Sequence, residues 1–98
     1  MSKAVRFLPI ARQEFDEAFL WYEAKAPALG ASFRTEVGLQ ISRISERPLQ
    51  FPMMHADVRR ARLRRFPYGL FFKVEADGVL IIACFHASRN PTTWRERV

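Results

Sequence analysis

Ninety-eight residues, 49% of them hydrophobic, are enough for one modest core, so a single domain spanning residues 1–98 is expected. Sixteen Lys and Arg against ten Asp and Glu leave a net charge of +6, a balance that suits a polyanion or an acidic protein as partner. The longest apolar run, Val79–Phe85, is far too short to cross a bilayer, and no signal-peptide pattern opens the chain; the cytoplasm is the expected compartment.

In chain order, Ala4–Leu8 is a short strand candidate ended by Pro9. Residues 11–25 form an amphipathic helix, with Ala11, Phe15, Ala18, Phe19 and Tyr22 at helical spacing. Trp21 lies off that stripe, either packed at its edge or free to touch a partner. Ala26-Pro27 breaks the helix, and Pro27 suits the first turn of a second one over 28–46. There Leu29, Phe33, Val37, Ile41 and Ile44 share a face, Arg34, Glu36, Arg43 and Glu46 are expected largely elsewhere, and Gly38 offers a place for close helix packing. Two such helices across a short break make a helical hairpin. Pro48 and Pro52 bracket a connection that carries His55, expected to be solvated.

The rest reads as a three-stranded meander from Val58 to His86 and a basic tail. Asp77-Gly78 between apolar runs is a type I′ hairpin signal. A two-residue loop there sets Ala76 opposite Val79, Val74 opposite Ile81, Phe72 opposite Ala83 and Leu70 opposite Phe85, all on one face. Phe71, Lys73, Leu80, Ile82, Cys84 and His86 then fall on the other. Phe66-Pro67 excludes a tight primed turn before this hairpin, so a wider loop is needed. Ala61 and Leu63 belong with Leu70 and Phe72, which turns Arg60, Arg62 and Arg64 outward beside Lys73 and His86, with Arg60 opposite Lys73. Such an arginine row is either a solvated, aggregation-proof edge or a surface for an anionic target, and charge density favours the target. Cys84, inside an apolar strand, reads as a small buried hydrophobe rather than a nucleophile. No His, Cys, Asp and Glu spacing suits a metal, and no cofactor is expected. The fold class is therefore α+β: an N-terminal strand, a helical hairpin and an antiparallel meander, with the helices on one face.

In this order and spacing the chain resembles the ParE/RelE superfamily of toxins from bacterial type II toxin–antitoxin systems. The resemblance rests on FLWYE in the first helix, Phe33-x-x-Glu36-Val37, Ile44-x-x-x-Pro48, Arg59-Arg60, Arg65-Phe66-Pro67-Tyr68, and Ile81-Ile82-Ala83-Cys84-Phe85-His86 followed by Arg89-x-Pro91. It implies a RelE-like fold, growth inhibition, and a cognate antitoxin that brings a small acidic segment, for which Trp21 is a candidate contact. RelE-like members cut messenger RNA on the ribosome; ParE-like members inhibit DNA gyrase without cutting. Metal-free RNA cleavage needs an acid/base and cations at the scissile phosphate. His86, with Arg64, would fill the catalytic roles, and Arg60, Arg62, Lys73, Arg89 and Arg95 would bind nucleic acid or another target. His86 serves equally well as a hydrogen-bonded strand-end residue. Ala87 stands where RNA-cleaving members often carry a tyrosine.

Overall fold

A computed structural model describes residues 2–98. Strand β1 (Val5–Phe7) leads into α1 (Pro9–Lys25), and α2 (Pro27–Glu46) follows. A single 3-10 turn, Pro48–Gln50, then precedes β2 (Met53–His55), β3 (Val58–Arg62), β4 (Tyr68–Glu75), β5 (Gly78–His86) and a one-turn α3 (Thr92–Arg95). Pro9 therefore starts a helix as well as ending a strand: it sits in the first turn of α1, where its missing N–H costs nothing, and Pro27 does the same for α2. Between the helices only Ala26 is extended, at φ −165° and ψ 135°. The close approach in this hairpin is at Gly30, not at Gly38. A Cβ on Gly30 would stand 2.9 Å from Glu23 Cβ, whereas Gly38 has open space.

The sheet order is β1-β5-β4-β3-β2, antiparallel except for β1, which runs parallel to β5. The expected meander is β3-β4-β5. It gains an edge on each side, including the three-residue β2, which is too short to show a period.

The β4–β5 turn differs from expectation. Glu75 pairs with Gly78, so Ala76-Asp77 is the loop, and Ala56 at φ 50° is the only described residue with positive φ. Gly78 is glycine for space instead: a Cβ there would lie 2.5 Å from the Ala4 carbonyl oxygen, which accepts the Val79 N–H at 2.8 Å. Farther on, Phe72 pairs with Ile81 but Phe71 with Ala83, so Ile82 is an extra, bulged residue. The bulge reverses the side-chain alternation beyond it. Cys84 joins Leu70 on the helix-covered face, while Ala83 and Phe85 move to the opposite one, the reverse of their expected sides.

Two apolar clusters result. The larger joins Ala11 and Ala18 of α1 and Phe33, Val37 and Ile44 of α2 to Ala61, Leu63, Leu70, Phe72, Val79, Ile81 and Cys84. Leu29, expected on this face, is 42% exposed. The smaller lies on the far face, where Val58, Phe71, Ile82, Ala83 and Phe85 are closed over by Trp94 of α3. That face is thus not simply basic. It has an apolar floor, with arginines at its rim.

Candidate functional site

Residues Arg62 to Tyr68 turn β3 into β4, and α2 fixes this loop with two polar side chains one turn apart. Glu36 accepts the backbone N–H groups of Arg64 and of Arg65 (2.8 Å), and Arg65 Nε at 3.2 Å. Gln40 donates its amide N–H to the Arg62 carbonyl. Burial alone would raise the Glu36 pKa, but the two backbone donors and the Arg65 guanidinium outweigh it and hold the carboxyl below the ordinary glutamate value. Glu36 was expected to face largely away from the core, yet it is 6% exposed. Its place at Phe33+3, with Gln40 at Phe33+7, puts both on the buried stripe.

At the other side, His86 ends β5 opposite Tyr68, with the two rings edge to face at 5.1 Å. His86 Nδ1 accepts the Ser88 backbone N–H at 3.0 Å and lies 2.8 Å from Ser88 Oγ. A backbone N–H can only donate, so Nδ1 is the accepting nitrogen in this contact. Burial, with the nearby Tyr22 and Cys84, raises the Tyr68 pKa despite the opposing charge of Arg89. Cys84 is buried, and desolvation, then Glu14, pushes its thiol up to about 12.

Between the loop and α3 lies a hollow of about 580 Å³. Six arginines line it (Arg60, Arg62, Arg64, Arg65, Arg89 and Arg95) together with Tyr68, Phe71, Phe85, Trp94 and His86, and no carboxylate does. Arg65 and Arg89 are ion-paired to Glu36 and Glu14; among the described residues, Arg60, Arg62, Arg64 and Arg95 have no such pair. Arg60 Nε is buried without a hydrogen-bond partner. Trp94 stacks on Phe71 at 4.4 Å, Arg89 lies over Phe85 at 4.2 Å and Arg95 over Trp94 at 5.6 Å. Flat aromatic surfaces edged by unneutralised guanidinium groups suit a polyanion, or an acidic chain with an apolar anchor.

Six of the expected site residues, Arg60, Arg62, Arg64, His86, Arg89 and Arg95, thus line one hollow. Lys73 does not: Arg60 pairs with Phe71 rather than with Lys73, and the Lys73 ammonium stands 3.9 Å from Asp57. Trp21 is elsewhere too, 56% exposed, with Lys25 over its ring at 4.8 Å. It lines a second groove of about 500 Å³ with Glu17 and Tyr22, and this groove shares Pro67, Tyr68, His86 and Arg89 with the arginine hollow. Arg65 and Tyr68 were read from the sequence only as part of the Arg65-Phe66-Pro67-Tyr68 motif, and neither they nor Trp94 were expected as site residues.

Residues 5–91 match the sequence model of the family described as the ParE toxin of the type II toxin–antitoxin system, parDE. No curated protein matches. Among solved structures, a chain of the chromosomal ParDE toxin–antitoxin system from P. aeruginosa superposes with a TM-score of 0.77 at 16% identity, over 89% of this chain and 98% of that one. A chain of the toxin–antitoxin complex RelBE2 from Mycobacterium tuberculosis gives 0.57 at 20% identity, over 88% and 99%. At these identities the two structures speak for the fold alone. Among the described residues no helix is long and apolar enough to cross a membrane.

Proposed function

The chain belongs to the family of ParE toxins of type II toxin–antitoxin systems, and from that premise we propose that it arrests growth by binding DNA gyrase through the arginine hollow, without cutting RNA. The observation that carries the choice of mechanism is the match of residues 5–91 to the ParE toxin family model, and the setting of His86 is in keeping with it. An acid/base histidine for RNA cleavage needs a nitrogen free to take the 2′-hydroxyl proton. Here Nδ1 accepts from Ser88, so only Nε2 is left to face a substrate. On this reading His86 acts as a strand-end fitting that holds Ser88 and Tyr68, and the arginines act by charge. The cognate antitoxin is the second partner, in keeping with the toxin–antitoxin systems from which the superposed chains come. An acidic antitoxin segment suits a chain of net charge +6, with exposed Trp21 and its groove as the apolar end of the contact.

The RNA-cleaving reading keeps one observation in its favour, the convergence of His86, Tyr68 and free arginines on one hollow. One experiment separates the two. Purified protein is incubated with gyrase and relaxed plasmid, and in parallel with programmed ribosomes. Inhibited supercoiling with intact messenger RNA, unchanged by His86→Ala and weakened by Arg62→Ala/Arg64→Ala, is the expected result. Cleaved messenger RNA that drops on the order of 10²–10⁴-fold with His86→Ala would replace gyrase inhibition by acid/base catalysis.

A further inference from the structure

The parallel strand β1 covers the edge of β5 only as far as Ile81, whose carbonyl accepts the Leu8 N–H at 2.8 Å. Past that point the edge is served by side chains. Arg97 Nη1 donates to the Ile82 carbonyl at 2.9 Å, and Glu14 Oε1 accepts the Cys84 N–H at 3.1 Å. Glu14 is 7% exposed and is the one buried carboxylate of α1. It takes the Arg97 fork on both oxygens, Nη1 on Oε1 at 2.9 Å and Nη2 on Oε2 at 2.8 Å. Oε2 also lies 3.4 Å from Arg89 Nη1. One carboxylate thus receives an arginine from each end of the segment 89–97, and between those ends Pro91, Trp94 and Arg95 form a wall of the arginine hollow.

From this we infer that Glu14 is a positioning residue: it latches segment 89–97 onto the sheet and so sets one wall of the target-binding hollow. The inference rests on that hollow being the toxic surface, whatever its target. A forked, charge-assisted pair with little exposure on either side is held strongly, because releasing one partner strands the other away from water. The wall needs such a latch, because α3 is a single turn and Trp94 is the only buried residue in it. A helix that short has no stability of its own.

The test compares Glu14→Gln, Arg97→Ala, Arg97→Lys and the double variant Glu14→Gln/Arg97→Ala with the wild type. Amide exchange is followed at Arg95, Glu96 and Arg97, whose N–H groups bond within this segment, and at Phe72 and Ile81 in the sheet. Growth arrest on induction without antitoxin is the second readout. The expected result is exchange about tenfold or more faster at the three tail amides, with the sheet amides unchanged. Growth arrest should weaken in step, Arg97→Lys should keep only part of it because an ammonium cannot form the fork, and the double variant should be no worse than either single, as for one shared interaction. Unchanged tail exchange, acceleration spread equally over sheet and tail, or a loosened tail with undiminished arrest would each overturn the latch. If Glu14→Gln fails to fold, Arg97→Ala carries the test from the other partner. Growth arrest reads potency against any target, so a failure of gyrase inhibition in vitro leaves this result interpretable.

Discussion

The two faces of the sheet bury apolar surface in different ways. On one, two helices of 17 and 20 residues lay Phe33, Val37 and Ile44 over Leu70, Phe72 and Ile81, and several of these side chains are wholly inaccessible. On the other, five sheet residues are closed by one indole on a four-residue helix, with arginines around it. The first face is a core in the ordinary sense, broad enough to carry the stability of the chain. The second is covered by much less chain, and its cover doubles as the wall of a charged hollow. The main core and the proposed recognition surface thus lie on opposite sides of one sheet, and alternation sorts the strand residues between them except at the Ile82 bulge, where Ile82 and Ala83 share the far face.

Substitutions can break this contrast. Phe72→Ala removes a fully buried ring from the helix-covered face and is expected to cost about 3–5 kcal/mol in denaturant unfolding. A loss under about 1 kcal/mol would show that the helices do not close a tight core there. Trp94→Ala on the far face is expected to cost less, about 3 kcal/mol at most, because the short tail can reseat over the floor. Its sharper signature is the loss of growth arrest at temperatures where the protein remains folded.

Glu36 sits where the two sides meet, since it reaches from α2 to the arginine loop. Glu36→Ala leaves the Arg64 and Arg65 amides without their acceptor and is expected to cost about 1–3 kcal/mol. Its pKa is lowered in the folded state, so its contribution is full above the unfolded-state value and is lost as pH falls through the folded value. The stability gap between wild type and Glu36→Gln should therefore be constant near neutrality and narrow on acidification. The smallest stability effect belongs to Arg62→Ala/Arg64→Ala. Both side chains are exposed, and each change should stay within about 0.5 kcal/mol of neutral. Growth arrest should nevertheless disappear, and residual target binding should depend less on salt. Full toxicity in that variant would remove the hollow from the account altogether.

The elements were legible because their periods are clean. The stripe Ala11, Phe15, Ala18 and the run Phe33, Val37, Ile44 place both helices to within two residues, and Ala61 and Leu63 fall on the face they were assigned. The β5 faces were not legible past Ile81, because a bulge inserts one residue without marking it in the sequence. Asp77-Gly78 misled for a related reason: glycine relieves both backbone strain and crowding, and here the crowding comes from Ala4, far away in the chain. The arginine row was visible as charge, but its neighbours were not. Glu36 was expected off the buried face and Glu14 was not singled out, although their spacing from Phe33 and Ala11 puts them on the buried stripes. Only the presence of Arg97 and the loop amides makes burial there affordable, and no local pattern announces those partners.

Strand β1 pairs only with β5, so it has no partner until the other strands of the sheet have been synthesised. The β4–β5 hairpin can close locally and early, whereas docking β1 must wait for a long loop to be closed. Folding of the sheet is therefore expected to end, not begin, at β1, with a nearly complete sheet presenting a bare β5 edge in the interval. Such an edge invites pairing with other chains. Two features shorten the exposure: β1 is only three residues long, and it runs directly into α1, which brings Glu14 to the same edge. The order of events gives the nascent protein a late assembly step, and a chain arrested before it would lack both its sheet edge and its latched tail.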